Sequence, residues 1–84
     1  MPKEIAYSKD ASRSLRRMPR NEAERIVAKV EQYAADPSSL GNNVKKLVGL
    51  ELIRLRVGDW RVILDEASLV LTVLRVGPRG GVYD

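Results

Sequence analysis

Three arginines fall close together in "LIRLRVGDWRVIL" (52–64): Arg54, Arg56 and Arg61. The segments on either side of Gly58-Asp59 alternate apolar and polar residues with period two, as half-buried strands do. Glycine at the first turn position suits a two-residue II′ turn, and the turn fixes the register. Val57 then faces Trp60, Arg56 faces Arg61, Leu55 faces Val62, Arg54 faces Ile63 and Ile53 faces Leu64. One side of the hairpin (Ile53, Leu55, Val57, Trp60, Val62, Leu64) is wholly apolar. The other carries Leu52, Arg54, Arg56, Arg61, Ile63 and Asp65. Such a wet face is ordinary in a half-buried sheet, and Asp65 offsets part of the charge. Like charges directly opposite on a ladder repel, however, and Arg56 opposite Arg61 is such a pair. Guanidinium groups held on rigid strands suit phosphate, whose oxygens the planar fork binds in bidentate fashion. The pairing is tolerable if the face exists to receive an anion.

The remaining elements must support that hairpin. "KEIAY" (3–7) reads as a short strand with Ile5 and Tyr7 on one face. Ser8 can cap a helix in which Ala11, Leu15 and Met18 recur at helical spacing, with Arg13, Arg16, Arg17 and Arg20 on the other face. Pro19 ends it. Asn21 and Glu24 form a capping-box pattern ahead of Ala23, Ile26, Val27, Val30, Tyr33 and Ala34, and Asp36-Pro37 stops this second helix. "DPSSLGNN" (36–43) reads as loop, and "VKKL" (44–47) opens a strand at most. "LVLTVLRVG" (69–77) is a third apolar strand after the hairpin, with Val70, Leu74 and Val76 as its expected inward set and Arg75 on the arginine face. The expected architecture is α+β. Two N-terminal helices pack on one face of a small twisted antiparallel sheet, in the order β-α-α-β-β-β. Residues 1–84 form a single domain.

Bulk composition excludes several chemistries. The chain has 84 residues, no cysteine and no histidine, and a net charge of +4. Thiolate nucleophiles, disulfides and the commonest general base are absent, and a zinc site would need carboxylates alone. Lack of cysteine fits the reducing cytosol, and the polar N-terminus does not resemble a signal peptide. No run of 18 apolar residues is present, so no helical membrane span is expected. Residues 51–84 hold five arginines and five acids. Any anion site there must come from geometry, because the charges sum to zero. The excess lies in residues 1–50, where the Arg13–Arg20 run can add a sequence-independent attraction for nucleic acid.

"LIRLRVGDWRVIL" followed by "VLRVGPRGGVYD" resembles the RelE/ParE superfamily of bacterial toxins from type II toxin–antitoxin pairs. The helical stretch from Ser8 to Pro37 and the "VKKLVGL" lead-in look like the same family, so the resemblance covers essentially the whole chain. It implies a RelE-like fold. For the RelE branch it implies a ribosome-dependent mRNA endoribonuclease that uses no metal or cofactor. In that reaction the 2′-hydroxyl of the messenger attacks the adjacent phosphate. Carried over by position, Arg54 stabilises charge on the nucleotide and Arg61 holds the scissile phosphate. Arg79 stabilises the transition state or leaving group, and Tyr83 stacks on the base beside the cut. Arg56, Lys45, Lys46, Arg13 and Arg17 are the further expected RNA contacts. The implied partners are a cognate antitoxin, in a hetero-oligomer, together with the ribosome and mRNA, and the implied location is the cytoplasm. Two positions depart from the family pattern. A hairpin lysine is replaced by Leu52, and a histidine before the C-terminal arginine is replaced by Pro78. Either an arginine, Glu51 or a ribosomal group is then the base, or the activity is low. The alternative, from the ParE branch, is a toxin that binds and poisons DNA gyrase without cutting nucleic acid.

Overall fold

The computed structural model describes residues 3–47, 52–66 and 69–78. Five strands and two α-helices are found among them: β1 (Glu4–Tyr7), α1 (Lys9–Arg17), α2 (Arg20–Ala35), β2 (Val44–Lys46), β3 (Ile53–Val57), β4 (Trp60–Glu66) and β5 (Val70–Pro78). The strands form one sheet in the order β1-β5-β4-β3-β2. The α+β class and the helices on one sheet face agree with the sequence reading. Two details correct it. Val44–Lys46 is a full edge strand, antiparallel to β3. β1 lies parallel to β5, so the sheet is mixed. A parallel neighbour requires a long crossover, here everything from α1 to β4. Local periodicity carries no information about that partner.

Local chemistry explains where the helices begin and end. Ser8 accepts a hydrogen bond from the Ala11 amide at 3.0 Å, which caps α1. Its hydroxyl also donates to the Leu74 carbonyl at 2.6 Å, tying the start of the helix to β5. Pro19 separates the helices, but the expected capping box at Asn21 and Glu24 does not form. Pro19 itself is the N-cap of α2. Its carbonyl accepts from the Glu22 and Ala23 amides, both at 3.0 Å. With Pro19 as the cap the helix starts two residues earlier than the Asn21 pattern implies, which leaves Asn21 and Glu24 inside the first turns. Asp36 stops α2 ahead of Pro37, as expected. The stretch read as loop is a 3₁₀ segment, Pro37–Asn43, kinked at Leu40.

The buried helix residues Ala11, Ile26, Val30, Tyr33 and Ala34 join Ile53, Leu55, Val57, Val62 and Leu64 in one apolar cluster. Ile5, Tyr7, Leu15, Met18 and Trp60 pack against it. The hairpin register agrees at all five positions with the sequence expectation. Gly58 has φ +58°, and no other described residue has positive φ. Only the first turn position is therefore left-handed, which is the II′ geometry. β5 departs from simple alternation. Ile63 pairs with Arg75 but Leu64 pairs with Val73, so Leu74 is an extra residue in the ladder. This bulge turns Leu71, Val73 and Val76 inward, in place of the expected Val70, Leu74 and Val76.

Candidate functional site

The ladders set basic residues in rows on the sheet face turned away from the helices. Lys45 lies opposite Arg54, Arg54 opposite Ile63, and Ile63 opposite Arg75. In the next row Arg56 lies opposite Arg61, and Arg61 opposite Gly77. Ile63 is 0% exposed although it stands outside the helix-side core. The aliphatic stems of the flanking arginines are placed to cover it. Trp60 faces the other way, against the core.

A cleft of about 340 Å³ opens on this face, walled by Lys45, Arg54, Arg56 and Arg61 with Asn42, Asn43 and Val44 at its rim. Every ionisable group in that wall is cationic. Val57 and Trp60 close the turn as the hydrogen-bonded pair. Arg56 and Arg61 are then the non-bonded pair, whose Cα atoms approach to about 4.5 Å and whose side chains lie closest. The arrangement contains its own partial relief. Arg61 Nη1 donates to the Gly58 carbonyl at 3.1 Å and to the Trp60 carbonyl at 3.0 Å. A guanidinium has five N–H donors, so others remain for a ligand. Two backbone acceptors thus hold Arg61 in place at the cleft's edge. Asn43 adds a long contact to the Arg56 carbonyl, 3.5 Å from its Nδ2.

The expected residues separate by place. Lys45, Arg54, Arg56 and Arg61 come together. Lys46 lies opposite Ile53, so it falls on the helix side of the edge strand and away from the cleft. Arg13 and Arg17 line a second cleft with Arg75. Arg79, Tyr83 and Glu51 lie outside the described residues. Leu52 directly precedes β3. Strand alternation puts it on the face of Arg54, where it supplies no proton acceptor. The sequence reading missed the Asn42 and Asn43 amides, and only their position just before a basic edge strand could have flagged them.

Two tyrosines are perturbed on the helix side. Tyr33 donates to Glu66 at 3.0 Å. Burial, and then the Glu66 hydrogen bond and charge, push its phenol up to about 12. Glu66 also pairs with Lys3 at 3.1 Å. Burial and then the charge of Glu31 raise Tyr7, whose buried hydroxyl has no hydrogen-bond partner among the described residues. Neither phenol is on the arginine face, so both belong to packing.

The fold is shared with known proteins. The family model described as "ParE toxin of type II toxin-antitoxin system, parDE" matches residues 5–83. The archaeal RelE–RelB complex from Pyrococcus horikoshii is similar at 26% identity and a TM-score of 0.80, covering 96% of this chain and 99% of that one. The free E. coli toxin RelE, a mutant form, is 22% identical with a TM-score of 0.73, covering 93% of this chain and 84% of that one. The E. coli DinJ–YafQ toxin–antitoxin complex is 16% identical with a TM-score of 0.67, and both chains are covered fully, at 100%. No curated protein sequence matches the chain.

Proposed function

The chain belongs to the RelE/ParE superfamily of type II toxins, and from that membership we propose that it is a ribosome-dependent mRNA endoribonuclease held in check by a cognate antitoxin. The observation that carries this reading is the all-cationic cleft on rigid strands, with Arg61 fixed at its edge by two carbonyls. A phosphodiester seated there gains charge on its non-bridging oxygens as the 2′-oxygen attacks. Cations already in place stabilise that charge without reorganising, and one such contact contributes about 3–4 kcal/mol in comparable sites. The 2′-oxygen forms a bond to phosphorus, the bond to the 5′-oxygen breaks, and the products are a 2′,3′-cyclic phosphate and a 5′-hydroxyl. Arg61 holds the phosphate, and Arg54 and Arg56 carry the developing charge beside it. Arg79 attends the leaving oxygen and Tyr83 stacks on the neighbouring base, as the resemblance implies. The 2′-proton goes to a group other than residues 52 and 78, since leucine and proline accept none.

RelE of P. horikoshii is seen with RelB, and YafQ with DinJ. An antitoxin segment bearing acidic side chains fits the same cleft here. The second reading, a gyrase poison, is favoured by one observation: the matching family model is that of ParE. Retention of Arg61, Arg79 and Tyr83 together supports the nuclease. Messenger cleavage on translating ribosomes, run beside a gyrase supercoiling assay, separates the two. Cleavage without loss of supercoiling supports the nuclease, and the reverse result replaces it with the ParE activity.

A further inference from the structure

A second cleft, of about 350 Å³, lies between α1 and the last residues of β5. Asp10, Arg13, Ser14 and Arg17 line one side. Their spacing is i, i+3, i+4 and i+7, a single stripe along the helix. Arg75 to Pro78 line the other side. β1 pairs with β5 only as far as Val73. Ser8 takes the Val73 carbonyl at 2.9 Å and the Leu74 carbonyl through its hydroxyl. Beyond that point no strand covers the outer edge of β5 among the described residues. Strand amides alternate between sides, so the Arg75–Gly77 edge turns at least one N–H toward the cleft.

The charges in this cleft are only lightly engaged. Arg13 reaches Asp10 at 3.9 Å, and both side chains are more than half exposed. Such a pair contributes little and leaves most guanidinium donors open. Arg17 and Arg75 make no ion pair with a described residue. Arg75 also ends the Lys45–Arg54–Ile63 row. It stands two strand spacings from Arg54, about 10 Å. The two clefts share no wall residue, and Arg75 stands between them on the row that carries Arg54.

We infer that the α1–β5 cleft is a second phosphate subsite, in which Arg17 and Arg75 hold a backbone phosphodiester of RNA beyond the site of cleavage, with Arg13 and Ser14 beside it. This rests on the reading of the chain as an RNA-directed toxin, and it adds a path for the strand: across the arginine face, over the open edge of β5 and onto α1. The contact is to backbone, so it is blind to base sequence.

The test measures binding of a fluorescein-labelled 12-nucleotide RNA, and of ribosomes, by the full chain across a salt series. Each phosphate contact contributes about 0.7 to the slope of log affinity against log salt for a single strand. The Arg17→Ala, Arg75→Ala double variant should lower that slope by about one such step, and each single change by part of it, with binding weakened severalfold, equally for unrelated sequences. Arg17→Lys should restore most of the slope, because the charge returns, and melting temperatures serve as the folding control. A lowered slope with free RNA assigns the phosphate to the messenger. That result supports the subsite, whereas a lowered slope on ribosomes alone assigns the contact to ribosomal RNA and overturns the path of the cleaved strand. Unchanged slopes in both variants, where the wild-type chain binds and cleaves RNA, overturn the subsite and leave the nuclease intact. Variants that weaken only the antitoxin complex likewise overturn it and give the cleft to the acidic partner. A wild-type chain that binds no RNA in either assay overturns both readings.

Discussion

Arg61 is the residue on which register, electrostatics and chemistry meet. Its place opposite Arg56 was legible in the sequence, because a two-residue turn at Gly58-Asp59 admits only one pairing. Its bonds to the Gly58 and Trp60 carbonyls were not, since they depend on how the side chain folds back over a turn. Arg61→Ala should abolish ribosome-dependent cleavage while costing the fold about 1 kcal/mol, the ordinary net value of a hydrogen bond. Arg61→Lys should recover only part of the activity, because a point charge lacks the planar fork. Cleavage at the wild-type rate by a folded Arg61→Ala would remove the phosphate clamp from the mechanism. Tyr33 makes a separate prediction in pH. Its phenol ionises near 10 in the unfolded chain and at about 12 in the fold. Between those values the native state keeps a proton that the unfolded state has lost, so stability falls as pH rises. The contribution is complete below pH 10 and lost on passing through about 12. Tyr33→Phe should flatten the alkaline limb of the stability profile, and an unchanged limb would assign it to other groups.

At the scale of elements, the sequence showed what is local and missed what is not. The helix at 20–35, the hairpin and the inward face of β3 and β4 follow from periodicity and turn chemistry. The parallel β1–β5 pairing and the bulge at Leu74 depend on partners far away in the chain. The bulge brings Val73 and Val76 to the same face, three residues apart where alternation allows two or four. Ser8 joins these non-local features, because it caps α1 and also donates to the carbonyl of the bulged residue. Losing an N-cap hydroxyl typically costs about 1 kcal/mol, and the Leu74 carbonyl would lose its partner as well. Ser8→Ala should therefore lower the melting temperature more than cap loss alone, while Ser8→Thr should keep most of it. Gly58→Ala tests the hairpin. The left-handed φ of +58° disfavours any Cβ, and one placed there would also meet the Arg25 guanidinium at 2.9 Å. Arg25 can swing aside, so the backbone penalty of about 1–2 kcal/mol dominates. The measurable result is reduced stability together with reduced cleavage, as the turn that anchors Arg61 shifts.

On the scale of the whole molecule, 84 residues are arranged with a radius of gyration of 11.7 Å and a one-sided core. A domain this small buries only about 60% of the surface its unfolded chain exposes. The helices cover one sheet face, and Lys45, Arg54, Arg56 and Arg61 gather on the other. Mutual repulsion there lowers the stability of the isolated toxin, and an acidic partner removes it. Binding to the native state alone raises stability by about 4 kcal/mol at a thousand times the dissociation constant, equivalent to about 15–30 °C in melting temperature for a domain of this size. Salt separates this electrostatic account from a merely hydrophobic interface. Screening length falls from about 10 Å at 0.1 M to about 3 Å at 1 M. Added sodium chloride should therefore raise the melting temperature of the free toxin, whose like charges it screens. The same salt should narrow the gap between toxin and complex, whose opposite charges it also screens. If the antitoxin shifts the melting temperature equally at 0.1 M and 1 M salt, the complex is held by apolar contacts, and the arginine face is kept open for the phosphate backbone alone.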